Sequence, residues 1–279
     1  MARGMTDLLI ANGRLALEPF LRGGWQAFGW VAGETLIQIS SVLASLLLAG
    51  RFKGLGPWTA ADLYFLIGFI LTARGISNVF SSQNVLMISR KVARGQLDHV
   101  LLQPHPLWKA LAAEGFSPFD LLITLAVGIG LLGWSVTEIP AAHGILWFGA
   151  LVLNIAGSAT VIVAYQYMWG AVAFWAPKVG EEVNTASAAV ASNLAPYPLD
   201  AAPRPVVGIL VSVIPVGFIG WVPCRSLVGI DSTPMVATLI GPVMAVVFGA
   251  IALILFRIGL ARYVRYGNGG RYSDFGHRR

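Results

Sequence analysis

Apolar runs of about 20 residues recur along this chain of 279 residues, and they constrain its fold more than any other feature. A helix that crosses a bilayer needs about 20 mainly apolar residues, because the hydrocarbon core is roughly 30 Å thick and each residue rises 1.5 Å. Only 11% of the residues are charged, whereas a soluble domain usually carries about 25%. The mean hydropathy is +0.72. The sequence therefore predicts an all-α membrane protein with several spanning helices.

Five stretches have the length and composition of spanning helices, the fourth of them with a cytoplasmic extension. They are residues 27–49, 60–82, 117–135, 143–175 and 235–257. Two of them begin with recognisable start signals. The hydroxyl of Thr59, two residues after Pro57, can cap the second crossing, and the hydroxyl of Ser117, followed by Pro118 in the first turn, can cap the third. Residues 5–22 mix leucines with charged residues and are predicted to form an elbow helix in the membrane interface.

The region between the fourth and the last crossing allows two arrangements, because Pro215 interrupts an apolar run there. In the first, residues 183–197 form a short polar fifth crossing, and residues 204–229 enter the outer leaflet and return as a re-entrant helical pair. In the second, residues 204–222 form the fifth crossing and residues 178–203 form a cytoplasmic loop. Both arrangements predict six transmembrane helices. A re-entrant pair would be buried or cavity-lining, since irregular backbone survives at membrane depth only there.

The distribution of Lys and Arg predicts the orientation. With the N-terminus placed in the cytoplasm, fourteen of these residues lie in cytoplasmic segments, and the external segments keep Arg51, Lys53, Arg204 and Arg225. Because basic residues in short loops favour the cytoplasmic side, both termini are predicted to be cytoplasmic. The net charge of +6 is then the charge of loops that face anionic lipid, which argues against nucleic-acid binding.

Patterns for catalysis and metal binding are absent from the sequence. It has no G-x-x-x-x-G-K-[ST] loop to hold a nucleotide phosphate, so the chain is not expected to hydrolyse ATP. Its four histidines are scattered, and Cys224 is its only cysteine. No catalytic residue, no metal site and no internal disulfide are therefore predicted.

The segment after the second predicted crossing is the most informative part of the chain. It reads ISRKVARGQLDHVLLQPHPLW, residues 88–108. Five apolar residues fall near helical spacing in it, namely Ile88, Val92, Leu97, Leu101 and Leu102. Charged residues lie between them, and Pro104 ends the pattern. The pattern predicts an amphipathic helix along the membrane surface. Such a helix can bind a partner protein, or it can simply be held by anionic lipid.

This segment resembles a known family. The pattern I-S-R-K-x-x-x-G-Q-L-D-x-x-L-L-x-P, after an apolar helix containing L-T-A-R-G, is similar to permeases of type 2 ATP-binding-cassette (ABC) exporters, in a six-helix bacterial subfamily without a fused ATPase. In that family the segment is the coupling helix, which docks in a groove on the ATPase and transmits its closure. The resemblance implies a coupling role for Arg90, Arg94, Gly95, Leu97, Asp98, Leu101 and Pro104.

The resemblance extends to Y-P-L-D-A-A-P-R-P at residues 197–205, which is similar to the family's external turn before its re-entrant helical pair. Ile214, Pro215 and Phe218 follow it in the family's pattern. The resemblance thus favours the first of the two arrangements. It does not extend to position 103, where relatives often have Arg and this chain has Gln103.

Two charged residues lie deep within predicted crossings, Arg74 in the second and Glu34 at nearly the same depth in the first. A charge in the membrane is costly and usually paired, so Arg74 and Glu34 are predicted to lie within hydrogen-bonding range, directly or through water. The pair can serve as a brace between the two crossings, or it can contact cargo or a gate.

The predicted fifth crossing is polar. Its polar residues are Asn184, Thr185, Ser187, Ser192 and Asn193. They fit a subunit interface or a wall that faces the cargo equally well.

The resemblance also implies a domain organisation. Residues 1–262 are expected to form a single transmembrane permease domain, in which 1–26 are the elbow helix, 83–116 the cytoplasmic coupling region and 198–234 the external re-entrant region. Residues 263–279 are expected to form a basic cytoplasmic tail.

By the same resemblance, two such subunits, identical or related, are expected to pair in the bacterial cell membrane and to bind a cytoplasmic ABC ATPase dimer. ATP and Mg²⁺ would be bound by that partner, and no cofactor by this chain. The alternative is a secondary transporter or channel driven by an ion gradient. That function requires ionisable residues clustered at mid-membrane, and only Glu34 and Arg74 are well placed for it.

Overall fold

The computed structural model describes residues 56–78, 88–93, 95–102, 107, 118–139, 144–230 and 238–266, with isolated positions between residues 10 and 47. The described residues are mainly helical. In chain order the helices are α1 (Ala60–Asn78), α2 (Ile88–Ala93), α3 (Gln96–Leu101), α4 (Pro118–Glu138), α5 (Ile145–Ala171), α6 (Pro177–Leu194), α7 (Arg204–Ser212), α8 (Val222–Leu227) and α9 (Ile240–Tyr266). A 3₁₀ turn (Val172–Phe174) extends α5, and a π-helical turn (Gly217–Trp221) precedes α8.

The start of α1 follows the predicted signal. The backbone N–H and the hydroxyl of Thr59 both donate to the Asp62 carboxylate, at 2.8 and 2.7 Å, and the Asp62 N–H donates back to the Thr59 hydroxyl at 3.3 Å. This reciprocal arrangement satisfies amide groups that have no partner inside the helix. It therefore fixes where the helix begins.

Three of the described helices are long and apolar enough to cross a membrane unaided, namely α1, α5 with its 3₁₀ extension, and α9. The predicted third crossing is the 21-residue helix α4. These four predicted crossings are confirmed as helices, although α9 continues to Tyr266, beyond its predicted end at residue 257. Most of the predicted elbow and first crossing, and the tail after residue 266, lie outside the described residues.

The region that allowed two arrangements follows the first of them in its secondary structure. The loop predicted at residues 178–203 by the second arrangement is wrong, because α6 occupies Pro177–Leu194. The continuous crossing predicted at residues 204–222 is also wrong, because α7 ends at Ser212 and its axis makes an angle of 80° with the following helical segment. Pro215 lies in this break, and a proline inside a helix removes a backbone donor and clashes with the preceding turn.

Close contact between α1 and α4 depends on glycines. A Cβ atom added to Gly68 would lie 2.7 Å from the backbone nitrogen of Leu132, and one added to Gly128 would lie 2.7 Å from the backbone nitrogen of Thr72. Membrane helices gain stability from van der Waals contact rather than from hydrophobic exclusion of water, so small residues at the interface let backbones approach. The same pair of helices contributes Leu66, Phe69 and Leu132 to the buried core.

We expect Gly128→Ala to lower the apparent melting temperature of the purified protein, because the added methyl group meets the backbone of α1 and overpacking of this kind costs about 1–3 kcal/mol. The matched control is Gly130→Ala on the same helix, where an added Cβ has no neighbour within 4 Å. The melting temperature of each variant is measured in detergent, by heating samples and recording how much protein still elutes as a folded peak on size-exclusion chromatography. Equal melting temperatures for the two variants would contradict this account of the interface.

Candidate functional site

The coupling segment, residues 88–102, is two short helices and not the single helix that the apolar spacing predicted. Gly95 separates α2 from α3 and has φ of +68°, in the left-handed region that glycine adopts without strain. Leu97 is fully buried, whereas Leu102, predicted on the same apolar face, is 82% exposed.

The buried side of the coupling segment sits on the ends of the long helices. Ile88, Val92, Leu97 and Val100 form one apolar cluster with side chains from the end of α5, its 3₁₀ extension and α9. The members contributed by those elements are Ala171, Ala173, Phe174 and Tyr263. In addition, the Tyr263 hydroxyl donates to Asp98 Oδ1 at 2.9 Å. We call this arrangement the seat of the coupling segment.

The other side of the coupling segment faces outward. Gln96, Asp98, His99 and Leu102 are exposed. An apolar side chain exposed among polar ones is an anchor that a partner protein can bury.

The residues predicted for ATPase coupling therefore divide by position. Leu97 is in the seat, and Asp98 is exposed but accepts the hydrogen bond from Tyr263 of the seat. Arg90, Gly95 and Leu101 are partly buried. Arg94 and Pro104 lie outside the described residues. Sequence reasoning grouped Leu102 with the apolar face and missed its exposure, because near-helical spacing alone does not show which apolar side chains find a partner within the chain.

A polar cavity of about 380 Å³ lies between α1, α5 and α6. Its polar lining residues are Arg74, Ser77, Asn78, Tyr165, Gln166, Thr185 and Ser192. Ile162, Ile219 and three alanines of α6 complete the wall. The cavity has the size of a small-molecule site, for which roughly 300–1,000 Å³ is usual.

Arg74 connects α1 to α6 across this cavity. One terminal nitrogen of its guanidinium donates to the backbone carbonyl of Ser192 at 2.5 Å. Glu34, its predicted partner, lies outside the described residues, so that ion pair stays a prediction. The bond to Ser192 shows that Arg74 braces α1 against α6.

The polar residues of α6 point in different directions. Thr185 and Ser192 line the cavity, and Asn193 is exposed. Asn184 and Ser187 are buried, with the Ser187 hydroxyl donating to the Asn184 carbonyl at 2.9 Å and the Tyr165 hydroxyl to the Ser187 carbonyl at 3.4 Å. Thr185 and Ser192 thus lie in the cavity wall, and the choice between a subunit interface and a wall that faces the cargo stays a prediction.

A second polar cluster, centred on Asp200, was not predicted. Its carboxylate accepts hydrogen bonds from the indole nitrogens of Trp58 and Trp221, at 2.6 and 2.7 Å, and forms an ion pair with Arg225. The Arg225 guanidinium also lies over the Trp221 ring, 5.6 Å from its centroid. The cluster ties Trp58, two residues before α1, to the turn before α7, to the π-helical turn and to α8. Only the presence of Asp200 within the quoted Y-P-L-D pattern pointed to it.

No group of three His, Cys, Asp or Glu side chains within the described ranges lies close enough together to hold a metal ion.

We expect Asp200→Asn to destabilise the protein by about 2–3 kcal/mol. Both indoles donate to Asp200 Oδ2 and Arg225 pairs with Oδ1, so the amide keeps one oxygen for the indoles but loses the ion pair and turns an NH₂ donor towards the guanidinium. Thermal unfolding monitored by tryptophan fluorescence measures the change. Glu138→Gln, at an exposed carboxylate that ends α4, is the matched control and should leave the melting temperature unchanged. A melting temperature for Asp200→Asn equal to that of the control would contradict the role of the cluster.

Comparison with known proteins gives one family. No curated protein and no solved structure matches the chain. The family model described as ABC-2 family transporter protein matches residues 35–267, which include the coupling segment, the walls of the cavity and the Asp200 cluster. With most of its length matched, this chain belongs to the ABC-2 family of transporter proteins and is a multi-pass membrane transport subunit.

Proposed function

We propose that this chain is the membrane-spanning permease subunit of an ATP-driven exporter, and that a separate ABC ATPase drives it through the coupling segment. The observation that carries the proposal is the seat, where Leu97 is fully buried in one apolar cluster with Phe174 and Tyr263 while Leu102 remains 82% exposed. One side of the segment is held by the permease and the other is free to bind a partner. Membership of the ABC-2 family supports an ABC ATPase as that partner.

The seat offers a physical route for the force. When the ATPase dimer closes on ATP, it displaces the outward side of α3. Because close-packed side chains cannot be compressed, the displacement passes to the end of α5 through Phe174 and to α9 through Tyr263. ATP and Mg²⁺ belong to the ATPase in this scheme, and the chain itself binds no cofactor.

The proposal places the chain in a bacterial cell membrane with six crossings and both termini in the cytoplasm. The distribution of Lys and Arg supports this orientation, with the coupling segment inside and the Asp200 cluster outside. The helical segments on either side of Pro215, at 80° to each other, then form the external re-entrant pair. Two such subunits, identical or related, pair to complete the translocation path.

We expect Leu102→Glu to weaken binding of the ATPase by at least about tenfold, because it places an unpaired charge in a contact that an apolar side chain fills. The measurement is recovery of a co-expressed ABC ATPase with the affinity-tagged permease. Ile145→Glu is the matched control, since Ile145 is 88% exposed and begins α5 at the opposite end from the seat. Undiminished recovery with Leu102→Glu would contradict the assigned docking side. Ion-gradient-driven uptake by the chain alone would instead favour a secondary transporter.

The hydroxyl of Tyr263 provides a test of force transmission. We expect Tyr263→Phe to retain the ATPase but to reduce severalfold the ATP-dependent change in amide hydrogen exchange within α9, because a hydrogen bond to a carboxylate is worth about 1.5–3 kcal/mol. The exchange change within residues 88–102 should persist. Tyr64→Phe is the control, since Tyr64 contacts Trp134 through its ring. An unaltered response in α9 would show that Tyr263–Asp98 carries no coupling.

A further inference from the structure

Among the described residues that line the polar cavity between α1, α5 and α6, one is charged, the cation Arg74. We propose that this cavity is the binding site for the headgroup of an anionic amphiphile, a molecule with a carboxylate or phosphate on an apolar chain. This inference names the substrate class of the proposed exporter and so rests on the proposed function.

The charge of the cavity favours an anion. No Asp or Glu is among the lining residues, so nothing in the described wall neutralises Arg74. A guanidinium has five N–H donors arranged to bind oxygen atoms in pairs, and the described residues offer it one acceptor, the Ser192 carbonyl. A cation at membrane depth is costly, so a ligand that supplies negative oxygens beside the neutral Ser192 carbonyl is stabilised there.

Gln166 adds a second polar group without a partner. Its side-chain oxygen is buried and accepts no hydrogen bond from the described residues, although the side chain lines the cavity. This oxygen can accept from the hydroxyl of a protonated phosphate. Rotation of the amide instead presents its NH₂ group to a carboxylate or to an ionised phosphate oxygen.

The remaining walls favour an amphiphile over a free ion. Ile162 of α5, Ile219 of the π-helical turn and the alanines of α6 present apolar surface beside Arg74. Asn78, Thr185 and Ser192 are exposed, so the cavity opens at the surface of the described helices. A headgroup can therefore occupy the polar part while its chain leaves along an apolar wall.

Direct binding tests the inference without the ATPase. The purified permease is placed in phosphatidylcholine nanodiscs, and binding of radiolabelled dodecyl phosphate is measured after subtraction of the uptake by empty discs. Unlabelled dodecanoate should compete, whereas dodecyltrimethylammonium should not. Inorganic phosphate should compete at least about a hundredfold more weakly than dodecyl phosphate, because it lacks the apolar chain.

Variants of the lining residues connect binding to the cavity. Arg74→Met should weaken dodecyl phosphate binding at least about tenfold, because it removes charge-assisted hydrogen bonds. Arg257→Met removes the same charge from an exposed position on α9, outside the cavity lining, and should bind as the original protein does. Gln166→Leu, of similar size, should weaken binding by roughly threefold or more. It decides the question if Arg74→Met does not fold.

Three results overturn the inference: equal binding of the cationic and anionic probes, equal competition by inorganic phosphate and dodecyl phosphate, or undiminished binding by folded Arg74→Met or Gln166→Leu protein. Undiminished binding by the variants is the result expected if Arg74 serves only to brace α1 against Ser192 and Glu34. If anion binding fails while the ATPase still co-purifies, this inference alone is wrong. If binding succeeds but no ATPase is recovered, the proposed function is wrong.

Discussion

The burial of one side of the coupling segment against the ends of the long helices is the interaction on which the proposed transmission of force depends. Leu97 is inaccessible in the same apolar cluster as Phe174 and Tyr263, and burying a leucine from water stabilises this attachment by about 1.5–3 kcal/mol. A segment held only by charges on lipid could slide without moving the helices. A segment packed into them cannot, because native packing leaves little free volume.

The membrane part of the bundle is held together by a different principle. Apolar side chains gain little from leaving lipid for protein, so α1 and α4 associate by close backbone contact at Gly68 and Gly128. Polar groups are then accommodated where partners exist, as where Arg74 reaches the Ser192 carbonyl. Because α6 presents small and polar residues to α1 and α5, the three helices leave a cavity between them.

Features set by local sequence were predictable, and features set by distant contacts were not. The start of α1 followed from Pro57 and Thr59, since a cap is decided within four residues. The bend at Gly95 was missed because apolar spacing alone does not show that a glycine adopts a positive φ.

The candidate site divides in the same way. Arg74 was identifiable as a costly charge within an apolar run, but its contact with Ser192 lies 118 residues away and has no local signal. The Asp200 cluster also has no local signal in the sequence, because the bond from Trp58 to Asp200 joins residues 142 positions apart. Of the five polar residues noted on α6, Thr185 and Ser192 line the cavity, and the sequence did not show which of the five would face it.

The Asp200 cluster and the seat lie at opposite ends of the long helices, and their positions limit where a conformational change can occur. The Asp200 cluster holds the beginning of α1, and Trp147 at the beginning of α5 donates to the Leu227 carbonyl at the end of α8. The seat holds the other end of α5. A helix of 19 residues such as α1 is roughly 28 Å long and moves as a rigid rod. Under the proposed function, displacement of the seat would tilt α5 about its fixed far end, and the cavity between α1, α5 and α6 leaves room for that tilting.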